Sequence, residues 1–191
     1  MSIRRVTDNI YLLWLAMTIP AVWLLYERIV LHTQMDYIWW TGILSCWLLI
    51  LSLAITPLQL MFGALPWLRK RRRYFGVASF GYAALHLFIW LLGTNIGGLM
   101  RSFQRMEILT GWIAMAILTV LAATSFDGAV DRLGPTWKTV QRWVYPAAVL
   151  TLLHWLMTDY GGWREVAVYS MPLILLEIWR VNRYRRLLRR A

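Results

Sequence analysis

Two histidines stand inside runs that are otherwise apolar: His86 in Ala84-Leu85-His86-Leu87-Phe88 and His154 in Leu152-Leu153-His154-Trp155-Leu156. An ionisable group surrounded by hydrocarbon is costly and requires a partner. Taken singly, each imidazole is accounted for by a hydrogen bond to a neighbouring helix. Taken as a pair they fit another use. His86 follows Arg73, at the basic edge of its run, by 13 residues, and His154 follows Val140 by 14. Along helices these are rises of roughly 20 and 21 Å. On helices that run in the same direction the two rings reach one height. Two neutral imidazoles at equal depth suit a six-coordinate haem iron, for which the macrocycle supplies the equatorial nitrogens. Such an iron has no open position and serves electron transfer rather than oxygen binding. A lone zinc is a poorer match, because two histidines with no neighbouring Cys, Asp or Glu fall short of its usual three or four ligands. The third histidine, His32, lies near Glu27 and Asp36 in a short polar stretch where solvent accounts for it.

The elements that carry these residues are read from hydropathy. Of the 191 residues, 60% are hydrophobic and only 15% are charged. The apolar residues gather into long runs, as in bilayer-spanning helices. Six spans are expected: Ile10 to Tyr26, Tyr37 to about Leu58, Tyr74 to Thr94, Ile108 to Thr124, Val140 to Thr158, and Val166 to Trp179. The last is short for a hydrocarbon core that takes roughly 20 helical residues to cross. The run from Tyr37 continues to Leu68, and Thr56-Pro57 is the natural place for its helix to end or kink. Leu58 to Leu68 would then lie along the interface. The fold class is an all-α membrane protein, a single domain over residues 1–191 built as a six-helix transmembrane bundle.

Lysine and arginine set the orientation, since cytoplasmic loops retain them. With the N-terminus inside, all but four of the 20 basic residues fall on one side; Arg28, Arg101, Arg105 and Arg164 fall opposite. Both termini are then cytoplasmic. The net charge of +11 sits at the ends of apolar runs, which points to anionic lipid headgroups and not to nucleic acid. Of the 13 tryptophans, Trp39, Trp40, Trp67, Trp137, Trp163 and Trp179 sit at expected interfaces as anchors. Arg4 and Arg5 precede an apolar stretch with no small-x-small cleavage site, so this is read as an uncleaved first span. The one cysteine, Cys46, excludes a disulfide framework and reads as a small packing residue. No internal repeat is visible, and no nucleophile motif or phosphate loop is present. Glu177 is placed to pair with Arg180.

Several features together resemble one family. They are Thr41-Gly42 followed by Ile55-Thr56-Pro57-Leu58, the basic run into Gly76 and then Ala84-Leu85-His86-Leu87, Leu121 to Thr124-Ser125, and Leu133-Gly134 with Trp137, Val140, Tyr145 and His154. The chain resembles, as a divergent member, the MsrQ (YedZ) family of haem-binding membrane subunits of periplasmic methionine-sulfoxide reductase systems, in the ferric-reductase-like transmembrane superfamily. The resemblance implies a b-type haem subunit of the bacterial inner membrane. It would pass electrons from a cytoplasmic flavin reductase or a quinol to a periplasmic molybdopterin enzyme. It also implies a flavin, FMN, near the cytoplasmic basic loop, where Arg72 and Arg73 match the family's paired arginines. Two positions depart from the pattern. Gln141 stands where members carry a further histidine, and Arg105-Met106-Glu107 stands where they carry Arg-Pro-Tyr. One haem, on His86 and His154, is therefore expected. The competing reading is a structural or assembly subunit of a larger membrane complex with no cofactor of its own. A transporter is weaker still, because intramembrane acidic residues and broken-helix pairs are scarce.

Overall fold

The structure, a computed structural model, describes residues 9–33, 35–63, 66–158 and 162–188, and these are helical with short connections. The first helix, α1 (Ile10–Ile29), opens on Asn9, whose side-chain oxygen accepts from the Tyr11 N–H at 2.9 Å. Pro20 lies inside α1 and has no N–H to give. One residue on, the Tyr82 hydroxyl enters the ladder: it accepts from the Ala21 N–H at 3.0 Å and donates to the Met17 carbonyl at 2.8 Å. A side chain inserted this way opens a helix locally while satisfying both backbone groups. Met17 of α1 also packs with Ile55, Phe75 and Ala78, and Trp14 meets Tyr74 edge-on at 5.9 Å.

α2 (Tyr37–Phe62) begins at Asp36, whose carboxylate accepts from the Trp39 N–H. It runs straight through Pro57 and ends at Gly63, which adopts the left-handed φ of 62° that glycine takes without strain. The expected stop at Thr56-Pro57 is thus not where the helix ends. Pro57 is fully buried, and in a membrane helix the carbonyl that a proline deprives is re-satisfied by neighbouring groups and local adjustment. Nor does a separate interfacial segment exist over Leu58 to Leu68 among the described residues: Leu58 to Phe62 continue α2, and Pro66 already opens α3 (Pro66–Leu92). Proline suits that first helical position, where its missing donor costs nothing.

α4 (Ile96–Ser102) is a short turn of helix capped by the Asn95 side chain, and α5 (Met106–Ala123) follows it. At the arginine-rich end, α6 (Asp127–Leu133) and α7 (Pro135–Gln141) are separated by Gly134. A turn at Arg142-Trp143 then precedes α8 (Val144–Met157), so the expected helix from Val140 to Thr158 is broken near its start. Pro146 at the third position of α8 fits the break, since first-turn N–H groups have no helical partner. α9 (Trp163–Leu188) contains the expected sixth span and extends well beyond it.

Four of these helices are long and apolar enough to cross a bilayer, over Ile10–Ile29, Tyr37–Phe62, Lys70–Leu92 and Met106–Ala123. The chain is a multi-pass membrane protein. Its central core joins Leu49, Leu53 and Ala54 of α2, Leu118 and Leu121 of α5, Ala147 and Ala148 of α8, and Leu173 of α9. Lipid gives helices no hydrophobic reason to associate, so close packing through small residues and interhelical hydrogen bonds must hold them. α2 and α3 meet through a reciprocal pair: the Ser45 hydroxyl donates to the Ser79 carbonyl at 2.9 Å, and the Ser79 hydroxyl donates to the Ser45 carbonyl at 2.8 Å. On α5 and α8, which pack together, Ala114 and Ala147 are buried.

Candidate functional site

α3 and α8 bring His86 and His154 together, as their spacing predicts, with ring centroids 6.2 Å apart and planes crossed at 86°. The shorter α8 does not spoil the match in height. His86 Nδ1 lies 2.9 Å from the Ile38 carbonyl of α2, and His154 Nδ1 lies 2.5 Å from the Glu107 carbonyl of α5. A carbonyl oxygen only accepts, so each Nδ1 carries its proton and each Nε2 keeps a free lone pair.

Behind each ring the arrangement is the same. Four residues after Ile38 comes Gly42, and a Cβ there would stand 3.0 Å from His86 Nδ1; four after Glu107 comes Gly111, where a Cβ would stand 2.9 Å from His154 Nδ1. The residue before each glycine is a threonine whose hydroxyl lies within hydrogen-bond reach of the same carbonyl. Thr110 Oγ1 donates to Glu107 O at 2.8 Å, whereas Thr41 Oγ1 donates chiefly to Tyr37 O at 2.7 Å and also reaches Ile38 O at 3.1 Å. The α2–α3 and α5–α8 hairpins therefore repeat one another at a handful of backing positions. The shared residues are too few and too small to be seen as sequence similarity, and the Thr-Gly dipeptide is their one mark in the sequence.

The rings face a cavity of about 480 Å³ lined by both hairpins, with Trp39, Trp90, Trp112 and Trp155 among its walls and Cys46 and Ser45 at its side. That volume lies within the span of about 300–1,000 Å³ typical of cofactor pockets. At one edge stand Thr94, Thr158 and Arg105, whose Nε donates to Glu107 Oε1 at 2.6 Å. Trp39, expected to be an interfacial anchor, is a wall of this cavity. Trp137 donates through Nε1 to the Thr124 carbonyl at 2.8 Å.

What the donor set can bind follows from its count. Among the described residues no group of three or more His, Cys, Asp and Glu comes together, so an ion held by Nε2 of His86 and His154 must bring its remaining ligands with it. An imidazole nitrogen sits about 2.0–2.1 Å from a transition-metal ion, with the ring centre about 1.1 Å further on, so two imidazoles on opposite sides of one ion have centres about 6.2–6.4 Å apart. The observed 6.2 Å meets that requirement, and the apolar walls suit a planar macrocycle around the ion.

The other predicted positions lie at the arginine-rich end. Arg72 Nη1 donates to Thr56 Oγ1 at 3.3 Å, and Arg73 pairs with Asp127 at 2.5 Å beside the Tyr74 ring. Neither lines the histidine cavity. Gln141 is also remote from it: its Nε2 donates to Thr124 Oγ1 at 3.0 Å and to the Leu121 carbonyl at 3.2 Å, closing the end of α5. Glu177 pairs with Arg180 at 2.5 Å, as its spacing suggests, and Arg180 in turn reaches the Tyr145 hydroxyl. His32 is exposed, with a positive φ of 50°.

The model of the ferric reductase like transmembrane component matches residues 39–152, a stretch that holds both Thr-Gly pairs and His86 and stops just short of His154. The protein-methionine-sulfoxide reductase heme-binding subunit MsrQ of Ralstonia nicotianae is 35% identical over 154 residues, 75% of this chain and 69% of that protein. Its namesake in Polaromonas naphthalenivorans is 32% identical over 181 residues, 89% of this chain and 82% of that one. In Brucella ovis the figure is 29% over 183 residues, covering 92% and 82%. No solved structure matches the chain. A family match that covers most of both histidine hairpins, and relatives alike over most of their length, lead to one assignment: the chain belongs to the ferric-reductase-like transmembrane family, alongside the MsrQ heme-binding subunits.

Proposed function

We propose that this chain is a haem-binding electron-transfer subunit, with Nε2 of His86 and Nε2 of His154 as the two axial ligands of one haem. The observation that carries the reading is the 6.2 Å separation of two rings whose Nδ1 atoms are both tied to backbone carbonyls. The bound group would supply a one-electron couple with no open coordination position. The chain's own part is to hold the imidazoles in the metal-binding tautomer, to wall the pocket with tryptophan and aliphatic side chains, and to keep water from it. A covalent c-type attachment needs Cys-x-x-Cys-His, and the single Cys46 cannot provide it, which supports a b-type haem.

The remaining assignments follow from the family and from charge. The chain sits in the bacterial inner membrane as six spans with both termini cytoplasmic, α8 and α9 adding the last two to the four long apolar helices. A quinol or a cytoplasmic flavin reductase supplies electrons, and a periplasmic molybdopterin methionine-sulfoxide reductase receives them. Arg72 and Arg73 are the candidates for an FMN phosphate at the cytoplasmic face; their present bonds to Thr56 and Asp127 also suit a topological and lipid-binding role.

Purifying the protein from haem-replete membranes tests the reading. Six-coordinate low-spin absorption with about one haem per chain is expected. A colourless, folded protein would overturn it in favour of a cofactor-free structural subunit.

A further inference from the structure

We propose that the two Thr-Gly pairs, Thr41-Gly42 and Thr110-Gly111, are positioning residues that hold the His86 and His154 rings crossed at close to a right angle. The fold, and not the bound group, then sets how the two axial ligands lie relative to one another. The inference rests on the haem reading and adds the residues that fix ring rotation.

An imidazole bound only through Nε2 is free to turn about its bond to the metal, so its orientation must come from the side away from the metal. Here each ring has three restraints there. Its Nδ1–H donates to a carbonyl of the neighbouring helix; a threonine hydroxyl one turn on also reaches that carbonyl, as the sole acceptor for Thr110 and as the longer of two for Thr41; and the ring lies so close to the next residue, a glycine, that a Cβ there would push on the imidazole. Carbonyl, threonine and glycine at i, i+3 and i+4 share one helix face. The residues that lend the carbonyl, Ile38 and Glu107, have nothing in common as side chains, as expected if only the backbone is used. Helix packing alone does not explain the glycines. Gly76 and Gly81 of α3 would meet nothing within 4 Å if given a Cβ, whereas Gly42 and Gly111 would each meet an imidazole at 3.0 Å or less. The product of the two restraint sets is the 86° between the planes.

Ring orientation has its own readout. Crossed imidazole planes leave the iron dπ orbitals nearly equal in energy and give one highly anisotropic low-spin EPR signal, whereas parallel planes split them and give a rhombic three-line spectrum. Frozen, detergent-solubilised full-length protein should show the anisotropic signal. Gly42→Ala and Gly111→Ala should each move it toward the rhombic form or cut haem content by more than half. Gly76→Ala and Gly81→Ala should change neither. A rhombic wild-type signal, or alanine variants at Gly42 and Gly111 that match wild type in both signal and haem content, overturns the inference while leaving the haem reading intact. No haem signal in the wild type overturns both. If an alanine variant does not accumulate in the membrane, Thr110→Val decides, since it keeps the glycine and removes the hydroxyl bonded to the Glu107 carbonyl. The freed carbonyl draws the Nδ1 proton more strongly, the imidazole becomes a better donor, and the reduction potential falls. An unchanged potential in Thr110→Val overturns the positioning role.

Discussion

Each of the two imidazoles lines the cavity and ties its Nδ1 to a backbone carbonyl. Deleting the ring removes both. His86→Ala and His154→Ala are each expected to abolish the low-spin spectrum, because one axial bond is lost and the Ile38 or Glu107 carbonyl loses its imidazole donor as well. His32→Ala should leave it unchanged. Absorption spectra of the three purified variants check this, and a normal spectrum in both His86→Ala and His154→Ala would exclude the proposed ligation. The histidines were legible in the sequence because a polar ring within hydrocarbon stands out against its neighbours. Gly42 and Gly111 were not, because glycine is common in membrane helices for packing alone. What marks these two is a ring on a different helix, and no local pattern specifies that contact.

At the scale of elements, helix ends were read well where composition changes and poorly where proline was the only cue. Pro57 looked like a stop, yet it is buried and α2 continues past it, while the true break before α8 falls at Arg142-Trp143 and is announced by Pro146, four residues further on. A proline ends a helix only if no neighbouring group compensates for the lost bond, and that depends on packing the sequence does not display. Two variants test how these elements are joined. Tyr82 bridges the opened ladder of α1 but does not line the cavity. Tyr82→Phe should therefore lower thermal stability in detergent by about 1–2 kcal/mol, the worth of one or two buried hydrogen bonds, with the haem spectrum unaltered. A spectral change would mean that α1 shapes the pocket. Gln141, with Trp137, satisfies terminal carbonyl and hydroxyl groups of α5. Gln141→Ala is expected to cost some stability, while haem stoichiometry stays near one. Spectral loss in that variant, or a wild-type stoichiometry near two, would show that the ligand set extends to the arginine-rich end.

For the whole molecule, the six-span proposal turns on α8 and α9 crossing the bilayer. α8 has 14 residues, about 21 Å of helix against a hydrocarbon core of about 30 Å. By length alone a shallow re-entrant hairpin would serve as well, and it would return the C-terminus to the same side. A reporter after Ala191 is expected to be cytoplasmic in either arrangement, so it does not decide the matter. The paired rings favour a crossing. His86 stands 13 residues beyond Arg73 on α3, roughly 20 Å from the basic edge. His154 is held 6.2 Å from it, so its ring stands at a similar height, well into the core, which supports the proposal that α8 crosses. α7 and the turn at Arg142-Trp143 make up the missing length at the arginine-rich end. An alkaline-phosphatase-type reporter, active only outside the cytoplasm, should therefore be active when fused after Gly162 and inactive when fused after Ala191. Inactivity at Gly162 would sink the six-span arrangement, and activity after Ala191 would show that α9 fails to return.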